Sequence, residues 1–197
     1  MKLNRDFYLR PGLIVAQELI GKQLVHNSLE GTTKGIIVEA EAYIGPNDAA
    51  SHAYNSLKTE RTAIQYGPGG YSYIYSIYGL HTCMNIVANQ ESFPEVVLIR
   101  ALQPTAGIEL MQQRRKKQAM RELCNGPGKL SQAMGITKKH YGIDLCDNEL
   151  FVETVNDVKP IVSATKRINI DYAGEAIDYL WRFVLRDNKF ISVPPRK

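Results

Sequence analysis

Hydrophobic and polar residues alternate along the segment at residues 35–52. One set of alternate positions is apolar, whereas the other includes two carboxylates and an aromatic ring. The first set is Ile36, Val38, Ala40, Ala42 and Ile44, and the second is Ile37, Glu39, Glu41 and Tyr43. This alternation predicts a β-strand with one apolar face and one face that carries chemistry. Neighbours on one face lie roughly 7 Å apart, so Glu39, Glu41 and Tyr43 form a row that indicates a candidate site.

The rest of the pattern predicts short helices and strands. A helix is expected at residues 13–20, where Gly21 caps its end, and a second is expected from Pro104 to about Leu123. Strands are expected at residues 22–27, 71–78, 80–88, 95–102, 181–185 and 190–193, with a hairpin turn at 28–34. Residues 47–66 show little apolar periodicity and predict a long loop, which in a compact domain is usually functional or disordered. The predicted fold is an α+β domain built on an antiparallel sheet.

Length and composition favour one soluble domain that spans residues 1–197. Hydrophobic residues make up 44% of the chain and charged residues 22%, and no apolar run is long enough for a membrane span. Three scattered cysteines do not form a disulfide framework, which favours a reducing cytoplasm. The net charge of +4 permits a nucleic-acid partner without requiring one.

Several polar and aromatic residues stand out against the predicted strands. Arg100 lies in an otherwise apolar strand, on the face that Leu98 shares, and a buried arginine needs a carboxylate partner such as Glu41. Asn85 is likewise a polar residue among apolar neighbours. Tyr78 breaks the alternation of the preceding tyrosines and is followed by Gly79 at the expected hairpin tip. A large aromatic side chain at such a tip suits a wedge that enters stacked bases, although tyrosine-rich strands also occur for structural reasons.

Two features could bind phosphate. The run at residues 114–117, which begins Arg114-Arg115, places positive charge on the second helix, but charge runs of this kind are most often solvated faces. The Gly-rich turn at residues 125–130 contains Lys129 and opens another helix, where backbone N–H groups favour an anion. It is not a Walker A loop, and no zinc-ligand spacing is present: His26 and His140 are isolated along the chain.

Four ordered motifs resemble the alkyladenine (3-methyladenine) DNA glycosylase family. They are EAEAYIGPNDAASH, YIYSIYGLHTCMN, VLIRALQP and ELCNGPGKL, and the resemblance runs from about Lys2 to the C-terminus. It implies a single compact domain with a curved antiparallel sheet, surrounding helices and a protruding β-hairpin. It also implies a monomer that acts on damaged purines in double-stranded DNA without a cofactor.

The resemblance implies a role for each matching residue. Glu41 would activate the attacking water and Arg100 would help to hold it. The pocket for the extruded base would be lined by Tyr43, His52, Tyr75, Asn85 and Leu98. The residues expected to contact DNA are Tyr78, Gly79, Arg114, Arg115 and Lys129, with Tyr78 filling the gap left by the base. Since no pocket motif contains a lysine that could form a Schiff base, a monofunctional glycosylase without lyase activity is expected.

The sequence departs from the family pattern in three places and leaves two other functions open. TERT at residues 59–62 and Gln65-Tyr66 replace the usual TPRN and Met-Phe, Asn169 replaces a glycine, and Leu180 replaces a proline. A non-catalytic binder of damaged DNA would use the Tyr78 wedge and the basic helix but would not need Glu41. A nucleosidase for free nucleosides would use Glu41 but would need neither DNA-binding feature.

Overall fold

The computed structural model describes residues 1–77, 81–155 and 159–194, in which an antiparallel sheet of eight strands packs against short helices. The strands are β1 (Gln23–Ser28), β2 (Gly31–Ile44), β3 (Ser72–Ile77), β4 (His81–Ala88), β5 (Glu95–Ala106), β6 (Leu150–Glu153), β7 (Val162–Thr165) and β8 (Arg182–Leu185). The helices are α1 (Arg5–Tyr8), α2 (Gly12–Leu19), α3 (Ile108–Arg115), α4 (Met120–Leu123) and α5 (Pro127–Met134). The predicted α+β class is confirmed.

The long strand β2 organises the sheet. One of its edges pairs with β5, while the other pairs first with β1 and then with β8. The main path runs β3-β4-β5-β2-β1-β6, and β7 joins through β8. Because β2 changes partners along its length and its register with β5 shifts, the sheet curls. β3 and β4 form the predicted hairpin, whose tip at residues 78–80 lies outside the described residues.

Three register shifts interrupt the pairing of β2 with β5, and two of them lie on either side of Glu39. Glu39 pairs with Ala101 and Ala40 pairs with Ile99, so Arg100 is an extra residue on β5. A matching irregularity falls between Ile37 and Glu39 on β2. A bulge bends a strand and re-aims its side chains, and here it places Arg100 between the carboxylates of β2.

The main hydrophobic core lies between the sheet and helices α2, α3 and α5. Fully buried side chains from both layers meet there, including Leu19, Met84, Ile99, Met111 and Leu130. Glu39 and Glu41 lie on the second face of β2, and both are fully buried. Loops and the C-terminal segment cover the second face, so its two carboxylates are shielded from solvent.

Several boundaries differ from the sequence-based expectations. The hairpin turn between β1 and β2 contains two residues, 29 and 30, instead of the seven expected. Pro104 does not open a helix: it lies in β5 opposite Gly35, at a register shift where the missing N–H is tolerated. The single long helix is also wrong, because Lys116 adopts a left-handed conformation (φ +52°) that ends α3 before α4 begins.

The remaining expectations concern the loops. Residues 47–66 are ordered around short 3₁₀ turns, Tyr54–Ser56 and Ala63–Tyr66, preceded by Gly45–Asn47. The expected strand at residues 190–193 is wrong: this segment is irregular, and its backbone N–H at Ser192 donates to the Glu39 carboxylate. Within residues 1–77, 81–155 and 159–194, no helix has the length and apolarity needed to cross a membrane.

Candidate active site

A cavity of about 340 Å³ opens beside β2 and is walled by β3, β4, β5 and two loops. The loops are the one that follows β2 and the one that joins β7 to β8. Six of the residues expected in the site lie on its wall, namely Tyr43, His52, Tyr75, Asn85, Leu98 and Arg100. Residues separated by up to 57 positions in sequence are therefore brought to one concave surface, which is the usual form of a small-molecule site.

The Glu41 carboxylate lies behind this wall and accepts three hydrogen bonds. Its Oε2 accepts from the Tyr43 hydroxyl at 2.9 Å and from Arg100 Nη1 at 3.1 Å, while its Oε1 accepts from the Ile168 backbone N–H at 2.8 Å. All three donors belong to residues that line the cavity. A carboxylate offers about four lone-pair sites, so one site on Oε1 is left for a further donor such as a water molecule.

Two arginines balance the two buried carboxylates. Arg100 Nε donates to Glu39 at 3.0 Å, so its guanidinium bridges Glu39 and Glu41. Arg182 Nε donates to Glu39 at 2.7 Å. Burial lowers the pKa of Arg100, but Glu41 and Glu39 outweigh this and raise it overall. The cluster is neutral in sum, which offsets the high cost of burying each charge, and Glu39 orients Arg100 without lining the cavity.

Tyr43 is held from behind by a second ion pair. The Arg167 guanidinium lies 4.8 Å from the Tyr43 ring centroid and 5.0 Å from that of Trp181. Arg167 donates to both oxygens of Asp48, at 2.6 and 2.7 Å, and both side chains are fully buried. Burial raises the pKa of Tyr43 well above its usual value, and the neighbouring Glu41 adds to the rise. The hydroxyl therefore stays protonated and donates to Glu41.

An aromatic cluster forms the opposite side of the cavity. His52 Nδ1 lies 2.8 Å from the Tyr73 hydroxyl, and the His52 ring contacts the edge of Tyr75 at a centroid distance of 4.7 Å. The ring centroids of Tyr73 and Tyr75 lie 5.6 Å apart. Burial lowers the pKa of His52 to about 4, with a smaller effect from Arg61, and burial raises that of Tyr73 to about 12. Both groups are therefore uncharged near pH 7 and suit a flat, apolar ligand.

Asn85 and Leu98 complete the wall from paired positions of β4 and β5. The Asn85 amide donates from Nδ2 to the Tyr73 carbonyl at 3.1 Å, which fixes its orientation. Leu98 also pairs with Glu41 across the β2–β5 ladder. The register thus sets a polar amide, an apolar side chain and the carboxylate in one row across three strands.

One family of known proteins matches most of the chain. A profile of the family described as "Methylpurine-DNA glycosylase (MPG)" matches residues 6–189. A curated relative from Clostridium acetobutylicum, named "Putative 3-methyladenine DNA glycosylase", is 48% identical over 201 residues, which cover 98% of each chain. Relatives of the same name from Alkaliphilus oremlandii and Natranaerobius thermophilus are 48% and 46% identical, and the match covers 98% of this chain and 99% and 100% of theirs. The chain belongs to the methylpurine-DNA glycosylase family.

Membership of the methylpurine-DNA glycosylase family assigns the chain to the DNA glycosylases.

One part of the cavity wall was not predicted from the sequence. The loop between β7 and β8 contributes Ile168, Asn169 and Tyr172 to the cavity wall. Asn169, which departs from the glycine that the resemblance implies at this position, adopts a left-handed conformation (φ +59°). Asparagine is among the few residues besides glycine that tolerate this region, so the substitution preserves the loop. The sequence signal on this part of the wall was the asparagine at position 169 in place of the expected glycine.

The residues expected to contact DNA fall into three groups. Tyr78 and Gly79 lie outside the described residues. The Arg114 guanidinium binds the Glu30 carboxylate and the Ala133 carbonyl, and Arg115 donates to the Leu123 carbonyl and to Gln132, so both hold helices together. Lys129 is exposed on the first turn of α5 and donates to Asn125 at 3.0 Å. Pro127 of the same turn lines the cavity, whereas Lys129 does not.

Proposed function

We propose that this DNA glycosylase removes alkylated or deaminated purines from duplex DNA by hydrolysis with a water molecule activated by Glu41. The substrate class comprises 3-methyladenine, 7-methylguanine, hypoxanthine and ethenoadenine. The observation that carries the proposal is the Glu41 carboxylate, which is held by three donors from the cavity wall and retains one open lone-pair site. These donors fix the orientation of the carboxylate that is proposed to accept the proton from water.

The aromatic wall supports a flat base as the ligand. A base inside a duplex is unreachable, so the nucleotide must leave the helix, at a cost of a few kcal/mol that is smaller at a damaged pair. Stacking on an aromatic side chain contributes roughly 1–3 kcal/mol of binding free energy per base, which offsets this cost. Tyr43 and Tyr75 are both on the wall, and a purine that carries a positive charge gains a further ~1–2 kcal/mol from their rings. Tyr78 is assigned the space that the extruded base leaves, as a wedge from the hairpin tip.

The reaction that follows is a displacement at the anomeric carbon. The bond between C1′ and the purine nitrogen breaks, and its electron pair stays with the base. A cationic base such as 3-methyladenine or 7-methylguanine is neutralised by that pair and leaves without needing an acid, whereas a neutral base such as hypoxanthine or ethenoadenine leaves as an anion that takes up a proton from solvent water. The water oxygen forms the new bond to C1′ and its proton passes to Glu41, as in sugar hydrolysis by one carboxylate. Arg100 offsets the charge near Glu41 and keeps the carboxylate aimed at the water.

The residues of the wall support the further proposal that the enzyme has no lyase activity. Strand cleavage by a glycosylase through a Schiff base requires an amine at the anomeric carbon. In the part of the chain that the structure describes, the cavity wall contains no lysine. We therefore expect an intact abasic site as the product, and we expect the enzyme to act as a monomer.

The test is base release by Glu41→Gln under single-turnover conditions, with Glu91→Gln as the control because Glu91 is exposed on a turn. Duplexes that carry each of the four lesions are incubated with excess enzyme, and abasic sites are cleaved with heat or alkali. Loss of the general base should lower the rate about 10²- to 10⁴-fold while lesion binding persists. Unimpaired release by the variant would refute the role of Glu41.

The same incubations separate the other two functions. A non-catalytic binder would release no base with the unchanged protein, although its affinity for the lesion would remain. A nucleosidase would cleave free nucleosides, and shortening the hairpin at residues 78–80 would leave its activity unchanged. Release from duplexes alone, lost on shortening the hairpin, supports the glycosylase.

A further inference from the structure

Two histidines and a glutamate from distant parts of the chain meet away from the active cavity. They are His26 on β1, His140 at the end of the 3₁₀ turn Lys138–His140, and Glu149, which immediately precedes β6. The Nε2 atoms of the two histidines lie 3.1 Å apart, and His140 Nε2 lies 3.6 Å from Glu149 Oε1. All three ligand atoms lie within 4.8 Å of one another. His26 and His140 are isolated along the sequence, but the fold makes them neighbours.

We propose that His26, His140 and Glu149 bind a divalent transition-metal ion, with Zn²⁺ as the best match. Zinc–nitrogen and zinc–carboxylate bonds are about 2.0–2.2 Å long, so two ligand atoms of a tetrahedral site lie about 3.3–3.5 Å apart. The observed separations of 3.1 and 3.6 Å fall on either side of that value. The third pair, His26 Nε2 and the Glu149 carboxylate, lies within 4.8 Å, so the largely exposed Glu149 side chain has to move by up to about 1.4 Å to close the site, and the fourth position is left for water.

The hydrogen bond behind His26 prepares it for this role. Its Nδ1 lies 2.6 Å from the Met134 carbonyl, an acceptor, so Nδ1 carries the proton and Nε2 presents a lone pair. A backbone carbonyl on the second ring nitrogen is the arrangement that orients histidine ligands in metal sites. His26 is thus already in the tautomer that a metal requires.

His140 can occupy either of two tautomers. As a neutral histidine with its proton on Nε2, it donates to His26 while its Nδ1 accepts from the Thr137 N–H at 2.9 Å. With the proton on Nδ1 it donates to the Thr137 carbonyl at 3.2 Å or hydroxyl at 3.3 Å, the Thr137 N–H gives up its bond to the ring, and Nε2 is free to bind an ion. Metal binding thus moves one proton between the two nitrogens of one ring, and no net charge has to enter or leave the imidazole.

The surrounding backbone fixes the three ligands and leaves one way in. The Asn27 N–H donates to the Glu149 carbonyl at 2.7 Å, and the Ser72 hydroxyl donates to the His140 carbonyl. His26 and His140 are buried, whereas 56% of the Glu149 side chain is exposed. An ion therefore reaches the two imidazoles from the side of Glu149.

An ion at this position would stabilise a segment that supports the active cavity. Tyr141, the residue after His140, donates its hydroxyl to the Arg61 carbonyl at 3.2 Å, and its ring lies 6.3 Å from that of Tyr73 on the cavity wall. The metal would tie the turn at residues 138–140 to β1 and so hold this contact. The expected effect is on stability, independent of the chemistry at Glu41.

Isothermal titration of the tag-free protein with ZnCl₂ tests the site. The unchanged chain should bind one ion per molecule with saturation, and Glu149→Gln should weaken the binding at least about tenfold, since even outer-shell changes cost 10- to 100-fold. His26→Asn should abolish it. His81→Asn is the control, because His81 is an exposed histidine outside the cluster, and it should bind zinc as the unchanged chain does.

Thermal unfolding with and without zinc provides the second readout and does not depend on enzymatic activity. Zinc should raise the midpoint of the unchanged chain and of His81→Asn, but not that of Glu149→Gln, whose surface substitution leaves the core intact. Failure of the unchanged chain to bind zinc saturably would overturn the proposal and would leave a plain His–His hydrogen bond. Equal binding by Glu149→Gln and the unchanged chain would overturn it as well.

Discussion

The hydroxyl of Tyr43 offers the cleanest single perturbation of the candidate site. Tyr43→Phe removes the donor that lies 2.9 Å from Glu41 Oε2 and leaves the ring in place. The ring stays packed against the Arg167 guanidinium, 4.8 Å from its centroid, so the base-stacking surface is retained. The substitution therefore separates the positioning of the carboxylate from the binding of the base.

The size of the effect follows from the kind of hydrogen bond. A bond to a charged group contributes about 1.5–3 kcal/mol. Glu41 keeps its bonds to Arg100 and to the Ile168 N–H, so the carboxylate remains in place but is less firmly held. If that contribution is lost in the transition state, the rate of base release falls about 10- to 150-fold. This is smaller than the loss expected for Glu41→Gln, because the general base itself remains.

The measurement is single-turnover base release at saturating enzyme, together with the affinity for a lesion duplex. The rate should fall while the affinity changes by less than about threefold. Tyr8→Phe is the matched control, because Tyr8 is buried, does not line the cavity, and has a hydroxyl with no partner among the described residues. A Tyr43→Phe rate equal to that of Tyr8→Phe would refute the positioning role.

Three further predictions concern groups around the cavity. Asp48→Asn leaves the fully buried Arg167 side chain without its carboxylate partner, so the free energy of unfolding measured in urea should fall by about 3–5 kcal/mol. A fall of less than ~1 kcal/mol would show that the ion pair contributes little to stability. Gln65 is fully buried, and neither atom of its amide has a hydrogen-bond partner among the described residues. Gln65→Met should therefore raise the free energy of unfolding by about 1–2 kcal/mol. A lower free energy of unfolding in this variant would argue against an unpaired amide. The pKa of His52 is lowered to about 4, first by burial and then by Arg61, so below pH 6.5 the unfolded chain binds a proton that the folded chain does not. Stability should therefore fall between pH 6.5 and 4, less so in His52→Gln, and a titration of the His52 ring by NMR with a midpoint near 6.5 would refute the assignment.

Local sequence patterns predicted the parts of the fold that depend on local physics. The alternation around Glu41 located β2, and the tyrosine-rich run located β3 and its hairpin. Pro104 misled the prediction because proline is tolerated both at a helix start and at a bulged strand position, and only the pairing partner decides between them. The helix break at Lys116 could not be predicted from the sequence either, because lysine has no intrinsic preference for a left-handed backbone.

The candidate site was predictable where a charge lies inside an apolar strand. Arg100 was expected to pair with Glu41 for that reason, and the structure places their side chains 3.1 Å apart. The pair of Asp48 with Arg167 joins residues 119 positions apart, and Arg167 lies in an irregular loop without periodicity. Nothing in its local pattern distinguishes it from a surface arginine. Burial of a loop residue depends on how the whole chain closes, which a local pattern does not encode.

The anchoring of Glu39 by the last part of the described chain bears on biosynthesis. The Ser192 backbone N–H and hydroxyl both donate to Glu39, and the Val193 carbonyl accepts from Arg182. During translation, the carboxylate pair of β2 emerges from the ribosome about 150 residues earlier than these partners (residues 39 and 192). A nascent chain therefore lacks the two Ser192 donors to Glu39 until that residue is made, and a product truncated before Ser192 leaves this buried carboxylate short of two hydrogen bonds.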